Sequence, residues 1–210
     1  MAEIDGSVRR LFDGEDFAVI VEPNGESGSA PAWVSGNLPA IEALAREHPV
    51  VVLRGIGISA EADFPAVRDL LVGRPAHYVY RSTPRTEVLE GIMTATEYPA
   101  TEEILMHCEN AYQRDWPLRL VFCCIKPSET GGQTPVADVR AVTRALGDEV
   151  LDEVERRGVR YVRNYHEGFD LDWKTVFQTE DRGEVEAFCR ANDIDFEWTP
   201  EGHLRTAQTC

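Results

Sequence analysis

The apolar run at 118–125 constrains the fold more than any other part of this chain. Its residues, LRLVFCCI, are apolar except for one arginine. A short and nearly continuous apolar run is typical of a strand that is buried on both faces. Such a strand needs a neighbour on each side, so we predict a central strand here, inside a sheet whose other strands come from elsewhere in the chain.

The rest of the pattern predicts strands with helices packed outside them. Predicted strands are 17–21, 49–53, 104–107, 118–125, 160–165, 194–198 and one starting at 203–207. Predicted helices are 38–48, one capped by Asp63 and running through 71, one capped by Asp138 and running through 146, 149–157 and 184–191. This order has no repeated βαβ rhythm. It indicates an α+β or mainly β fold, an antiparallel sheet or jelly roll with flanking helices, in one domain over residues 1–210. The last segment, 204–210, is expected to be a strand without a partner to follow, which leaves the barrel incomplete at the C-terminus.

Charge and composition exclude several classes of partner. The net charge is −16, from 37 acidic and 21 basic residues, and such a field repels DNA, RNA and acidic membrane surfaces. The start of the chain, MAEIDG, lacks the basic and apolar regions of a signal peptide, and no apolar run is long enough to span a membrane. The five cysteines form no C-x-x-C motif, which indicates free thiols and a cytoplasmic location.

His107-Cys108-Glu109 is the candidate catalytic motif. On a strand, residues two apart point the same way, so the imidazole and the carboxylate would be aimed at one point. These are two of the three ligands of the facial triad that holds non-heme Fe(II). The alternative is a chance pair in which His107 is a hydrogen-bonded structural residue.

Two further groups of residues are candidates for binding small molecules. In Gly131-Gly132-Gln133-Thr134, the glycines would let the backbone approach a ligand, and the hydroxyl of Thr134 could donate to a carboxylate; an ordinary loop explains the segment equally well. Arg81 and Arg85 lie in a predicted loop with Thr96 further along, and arginine suits a substrate carboxylate. A solvated surface loop is the alternative.

The remaining candidates have structural explanations. Arg163 and Asn164 could reach a pocket or serve in hydrogen bonding at the rim of the core. The other histidines are expected to be surface or structural residues rather than metal ligands: His48, His77, His166 and His203.

In order and spacing, the chain from about residue 40 resembles the TauD/TfdA family of Fe(II)- and 2-oxoglutarate-dependent oxygenases, and more closely its SyrP-like branch from specialised metabolism. The similar segments are 51–55 (VVLRG), 81–85 (RSTPR), 107–112 (HCENAY), 116–117 (WP), 122–123 (FC), 131–140 (GGQTPVADVR), 161–165 (YVRNY) and 173–177 (WKTVF).

The resemblance implies a double-stranded β-helix with Fe(II) held by His107, Glu109 and a distal histidine, and 2-oxoglutarate contacted by Thr134. It also implies hydroxylation rather than halogenation, because halogenating relatives replace the carboxylate corresponding to Glu109 with a small residue. The expected substrate is a small molecule, an amino acid or a derivative of one, free or tethered to a carrier protein.

The family's distal histidine and its 2-oxoglutarate-binding arginine belong to a segment that this sequence does not contain. Three accounts stay open. The chain could be the N-terminal portion of a longer enzyme, or its site could be completed by a second chain, whether a C-terminal polypeptide or another copy in a homo-oligomer. It could also be a relative kept as a binding or scaffold module. The first two are favoured because the matched part keeps its metal and co-substrate residues.

Overall fold

The computed structural model describes residues 3–73, 80, 85–95, 101–166 and 171–210. They divide into two compact units. The first unit comprises residues 1–75 and 119–141, and the second comprises 76–118 and 142–210.

The first unit is built on a three-stranded sheet with the order β1-β2-β3. Its strands are β1 (Ser7–Arg10), β2 (Ala18–Glu22) and β3 (Val50–Leu53). β1 runs antiparallel to β2, and β3 runs parallel to it. The central strand β2 is the most buried of the three, because its residues AVIV are apolar and have neighbours on both sides. The predicted strands at 17–21 and 49–53 are confirmed as β2 and β3, with ends that differ by at most one residue.

Helix α1 (Ala30–Glu47) connects the two parallel strands, so β2, α1 and β3 form one βαβ unit. The helix begins well before the predicted residue 38, because Ser29 caps it by accepting a hydrogen bond from the amide of Ala32, and a proline occupies the first turn. Its buried face packs with α2 (Phe64–Val72), which follows a 3₁₀ turn at Glu61–Asp63.

Two of the predicted strands are wrong. The segments 104–107 and 118–125 have no regular secondary structure, and Leu118 and Phe122 are 94% and 69% exposed. A strand forms only where a neighbouring backbone supplies ladder hydrogen bonds. Within the described ranges, neither segment pairs with any strand.

The second unit contains most of the remaining elements. They are β4 (Glu87–Leu89), β5 (Ile92–Met93), α4 (Asp148–Arg157), β6 (Arg160–Tyr165), α5 (Trp173–Phe177), α6 (Arg182–Ala191), β7 (Asp195–Trp198) and β8 (Leu204–Thr209), and α3 (Val139–Ala145) begins in the first unit and ends in the second. Asp138 caps α3, as predicted, by accepting a hydrogen bond from the amide of Arg140 at 2.9 Å.

β4 and β5 form a hairpin, and a second sheet has the antiparallel order β6-β8-β7. The expectation that the last strand lacks a partner is therefore wrong, because β8 is paired along both edges. Its side chains alternate between buried and less buried positions, with Leu204, Thr206 and Gln208 facing inward.

The core of the second unit combines aromatic rings with one shared hydroxyl. The phenol oxygens of Tyr80 and Tyr165 lie 2.8 and 3.2 Å from Oγ1 of Thr206, and all three residues are buried. Burial raises the pKa of Tyr165, so its phenol is neutral near pH 7 and remains able to donate. The rings of Phe177 and Phe188 pack around Tyr80.

The described residues thus form an α+β structure of mixed helices and sheets. A closed jelly roll stays a prediction. In the part of the chain that the structure describes, no helix has the length and apolar character needed to cross a bilayer.

Candidate metal centre

His107 and Glu109 lie together in the second unit although their segment is not a strand. Nε2 of His107 is 3.6 Å from Oε2 of Glu109. The His107 side chain is 57% exposed, whereas that of Glu109 is 19% exposed. The convergence expected from the two-residue spacing is therefore found, with the imidazole on the solvent side and the carboxylate more enclosed.

A backbone contact fixes the proton on the imidazole. Nδ1 of His107 lies 2.7 Å from the carbonyl oxygen of Leu105. A carbonyl can only accept, so Nδ1 carries the hydrogen and donates it. The lone pair of a neutral imidazole is then on Nε2, the nitrogen that faces Glu109. Metal-binding histidines usually have this arrangement, in which the second ring nitrogen donates to a carbonyl or carboxylate.

The second oxygen of Glu109 has a different partner. Nη2 of Arg85 donates to Oε1 of Glu109 at 3.1 Å, and the two side chains are about equally shielded, at 20% and 19% exposure. The carboxylate therefore has one oxygen on a guanidinium and the other near an imidazole nitrogen.

The donor atoms of this pair suit a first-row divalent metal. Nitrogen and oxygen ligands lie about 2.0–2.2 Å from such ions, so two donors 3.6 Å apart can meet at one ion. Imidazole and carboxylate are also the donor types of the facial triad. Across the described ranges, no cluster of three or more His, Cys, Asp or Glu side chains has the geometry of a metal site, so this pair offers two candidate donors, and its role as metal ligands stays a prediction.

Of the other predicted binding residues, the structure describes some and leaves others outside the described ranges. Thr134 is exposed and belongs to the first unit, in a segment without regular structure. Gly131 and Gly132 before it have φ of 68° and 73°, a conformation that favours glycine. Arg81 and Thr96 lie outside the described residues, so their predicted roles stay predictions.

Arg163 lies among tyrosine rings of the second unit. The sequence left open whether it reaches a binding pocket or makes structural hydrogen bonds at the rim of the core. Its guanidinium carbon is 4.4 Å from the ring centroid of Tyr80, 4.5 Å from that of Tyr112 and 5.1 Å from that of Tyr165. It also donates to the carbonyl of Tyr80. Cation–π contacts of this kind hold aromatic rings in place, so the observed contacts favour the structural role.

The described histidines outside the motif have other neighbours. His166 and His203 stack on each other, with ring centroids 4.2 Å apart, beside a cavity of about 480 Å³. His48 ends α1 and contacts the carbonyl of Asp16 at 2.8 Å. His77 lies outside the described residues.

Three features of the second unit were missed by sequence reasoning: the contact of His107 with the Leu105 carbonyl, the pairing of Arg85 with Glu109, and the stack of His166 on His203. A backbone carbonyl gives no signal in the side-chain pattern. Arg85 and Glu109 are 24 residues apart, so their contact depends on tertiary structure rather than on local spacing.

Comparison with known proteins shows the family to which this chain belongs. The model of the taurine catabolism dioxygenase TauD, TfdA family matches residues 18–208. The chain therefore belongs to the TauD/TfdA family, a family of non-heme iron, 2-oxoglutarate-dependent dioxygenases.

Two relatives with assigned names are similar to this chain over most of its length. The chain is 35% identical over 202 residues to the dapdiamide synthesis protein DdaC of Enterobacter agglomerans, covering 96% of this chain and 61% of that protein. It is 27% identical over 215 residues to a clavaminate synthase-like protein of Arabidopsis thaliana, covering 94% of this chain and 65% of that protein. The chain thus spans less than two thirds of the length of either relative.

Proposed function

We propose that the protein is an Fe(II)- and 2-oxoglutarate-dependent oxygenase that hydroxylates an amino acid or an amino-acid derivative, free or bound to a carrier protein. One observation carries the proposal: Nε2 of His107 faces Oε2 of Glu109 while Leu105 holds the imidazole proton on Nδ1. With Nδ1 donating to that carbonyl, Nε2 is the ring nitrogen available to a metal, and it and a carboxylate oxygen are directed toward one place.

The comparisons support the substrate class. The name of DdaC assigns that relative to dapdiamide synthesis, and a role in the biosynthesis of a specialised metabolite is consistent with the SyrP-like pattern of the sequence. The family also supports a double-stranded β-helix as the complete fold. The five free cysteines are consistent with a reducing, cytoplasmic setting.

The residues of this chain would have separate roles. His107 and Glu109 would hold the iron, which with 2-oxoglutarate and O₂ supplies the oxidising power for insertion of oxygen into a C–H bond. Thr134 would donate a hydrogen bond to a carboxylate of 2-oxoglutarate, and Arg81 with Arg85 would bind a carboxylate of the substrate. Glu109 fills the position that a halogenating enzyme leaves open for halide, so the expected product carries a hydroxyl group.

A further histidine is expected to complete the metal site, because the described pair supplies two ligands. We propose that it comes from the remainder of the family pattern, within the same polypeptide or from a second chain, either a complementing C-terminal polypeptide or another copy. The alternative function is a binding or scaffold module without iron. The 57% exposure of the His107 side chain favours this alternative, since a working iron site is enclosed from water.

The test is the visible charge-transfer absorption that appears when Fe(II) and 2-oxoglutarate bind together, recorded without oxygen on the full-length protein. The wild type should develop the band, and His107→Ala and Glu109→Ala should lose it because each removes a donor. His203→Ala is the matched control and should keep the band. A wild type without the band would reject a site completed within one polypeptide or by another copy of it, and would favour the binding module. A band that survives His107→Ala would reject His107 as a ligand.

A further inference from the structure

The two oxygens of the Glu109 carboxylate are divided between two partners. Oε1 accepts from Nη2 of Arg85 at 3.1 Å, and Oε2 lies 3.6 Å from Nε2 of His107. The Arg85 and Glu109 side chains are each about four-fifths shielded from solvent. The contact is therefore less screened than an ion pair on the open surface.

The division matters because a carboxylate can bind a metal through one oxygen or through both. The last torsion of a glutamate side chain is soft and has broad, roughly two-fold preferences. Without a restraint, the group can rotate and chelate the ion with both oxygens, which uses a coordination position that an oxygenase needs for its co-substrate or for oxygen. A charge-assisted hydrogen bond to one oxygen opposes that rotation.

We propose that Arg85 is a positioning residue for Glu109: its ion pair to Oε1 holds the carboxylate so that Oε2 alone faces His107 and binds the metal. The inference rests on the proposed function, since it assigns Arg85 a role in the same metal site. Arg85 has five N–H donors, and a hydrogen on Nη2 is the one donated to Glu109.

Electrostatic repulsion and positioning predict opposite effects of removing Arg85 on metal affinity, and this difference makes the inference testable. Arg85 is a cation close to a site for another cation, and simple repulsion means that removing it should tighten metal binding. Positioning means that removing it should weaken metal binding, because Glu109 then loses its fixed orientation. The direction of the change therefore separates the two accounts.

The experiment measures Co(II) binding to the full-length protein by calorimetry, with the visible spectrum of Co(II) as a report on coordination number. Arg85→Met removes the charge, and Arg85→Lys keeps the charge but loses the planar fork. Both should weaken Co(II) binding about tenfold or more, the range seen when residues that orient metal ligands are changed, and both should alter the Co(II) spectrum. Arg160→Met is the matched control, because Arg160 pairs with Asp195 at 2.6 Å in the same unit, and it should bind Co(II) as the wild type does.

A double-mutant cycle excludes a purely structural role. In a Glu109→Ala background, Arg85→Met should cause no additional loss of Co(II) affinity, because the carboxylate that Arg85 positions is gone. Affinities are compared per folded molecule, with folding followed by circular dichroism. Unchanged or tighter binding by both Arg85 variants, while Glu109→Ala still loses Co(II), would overturn the positioning role alone. A wild type that binds no Co(II) would overturn this inference together with the proposed function.

Discussion

Cys189 shows at the scale of one residue how burial controls the chemistry of a thiol. It is fully buried in the core of the second unit, beside Val185 and Ile194. Burial raises the pKa of its thiol from 9.0 to about 11, because a thiolate is poorly solvated there. At neutral pH it is therefore a neutral, unreactive core residue.

The raised pKa predicts how stability depends on pH. In the unfolded chain the thiol ionises near pH 9, whereas in the folded protein it keeps its proton until about pH 11. The folded state binds more protons in this window, so the free energy of unfolding should fall as pH rises from about 9 to 11. Urea unfolding of wild type and Cys189→Ala at several pH values checks this: the difference between them should shrink across the window. A constant difference would mean that Cys189 ionises alike in both states.

At the scale of elements, α6 illustrates a helix whose start is set by one side chain. Asp181 precedes Arg182–Ala191, and its carboxylate accepts a hydrogen bond from the amide of Gly183 at 2.7 Å. The carboxylate also lies at the positive end of the helix dipole. Asp172 holds the same position before α5, but in the described structure its side chain makes no capping hydrogen bond.

Asp181→Ala should therefore destabilise the protein by about 1 kcal/mol, the usual effect of losing a capping side chain. Asp172→Ala is the matched control and should change the free energy of unfolding by about 0.5 kcal/mol or less, as for substitutions that remove no specific contact. Chemical denaturation of the two variants provides the comparison. Equal losses would show that helix dipole and charge, rather than the hydrogen bond from Gly183, determine the effect.

Elements defined by local pattern could be predicted from the sequence, whereas those defined by distant partners could not. The helices α2, α4 and α6 follow apolar spacing that lies within each segment. Asp63, predicted to cap α2, makes no capping hydrogen bond to it, because its carboxylate accepts instead from the amides of Ser59 and Ala60. The strand predicted at 118–125 required neighbouring strands to pair with, and the sequence of this segment alone does not show whether such neighbours exist. The distinction extends to the candidate site: the spacing of His107 and Glu109 predicted their convergence, but nothing local predicted the contact with Arg85.

At the scale of the whole molecule, net charge and exposed apolar surface have opposite effects on self-association. The net charge of −16 causes mutual repulsion and favours solubility. Apolar side chains that sequence pattern predicted to be buried are nevertheless exposed, notably Leu120 at 53% and Phe122 at 69%. Burial raises the pKa of the neighbouring Cys123, so the segment has a shielded side and an exposed apolar side.

This exposed apolar side should bind hydrophobic dyes and promote self-association once the repulsion is screened. We expect the protein to increase the fluorescence of anilinonaphthalene sulfonate, and its light scattering to rise between about 10 mM and 1 M salt, over which the screening length falls from about 30 to 3 Å. Replacing Leu120 and Phe122 by serine should reduce both signals, because it removes apolar surface without changing charge. Lys126→Ser, at an exposed polar position of the same segment, is the control and should keep the dye response. A wild type with no dye response, or a double variant with an unchanged one, would show that this segment is covered in solution.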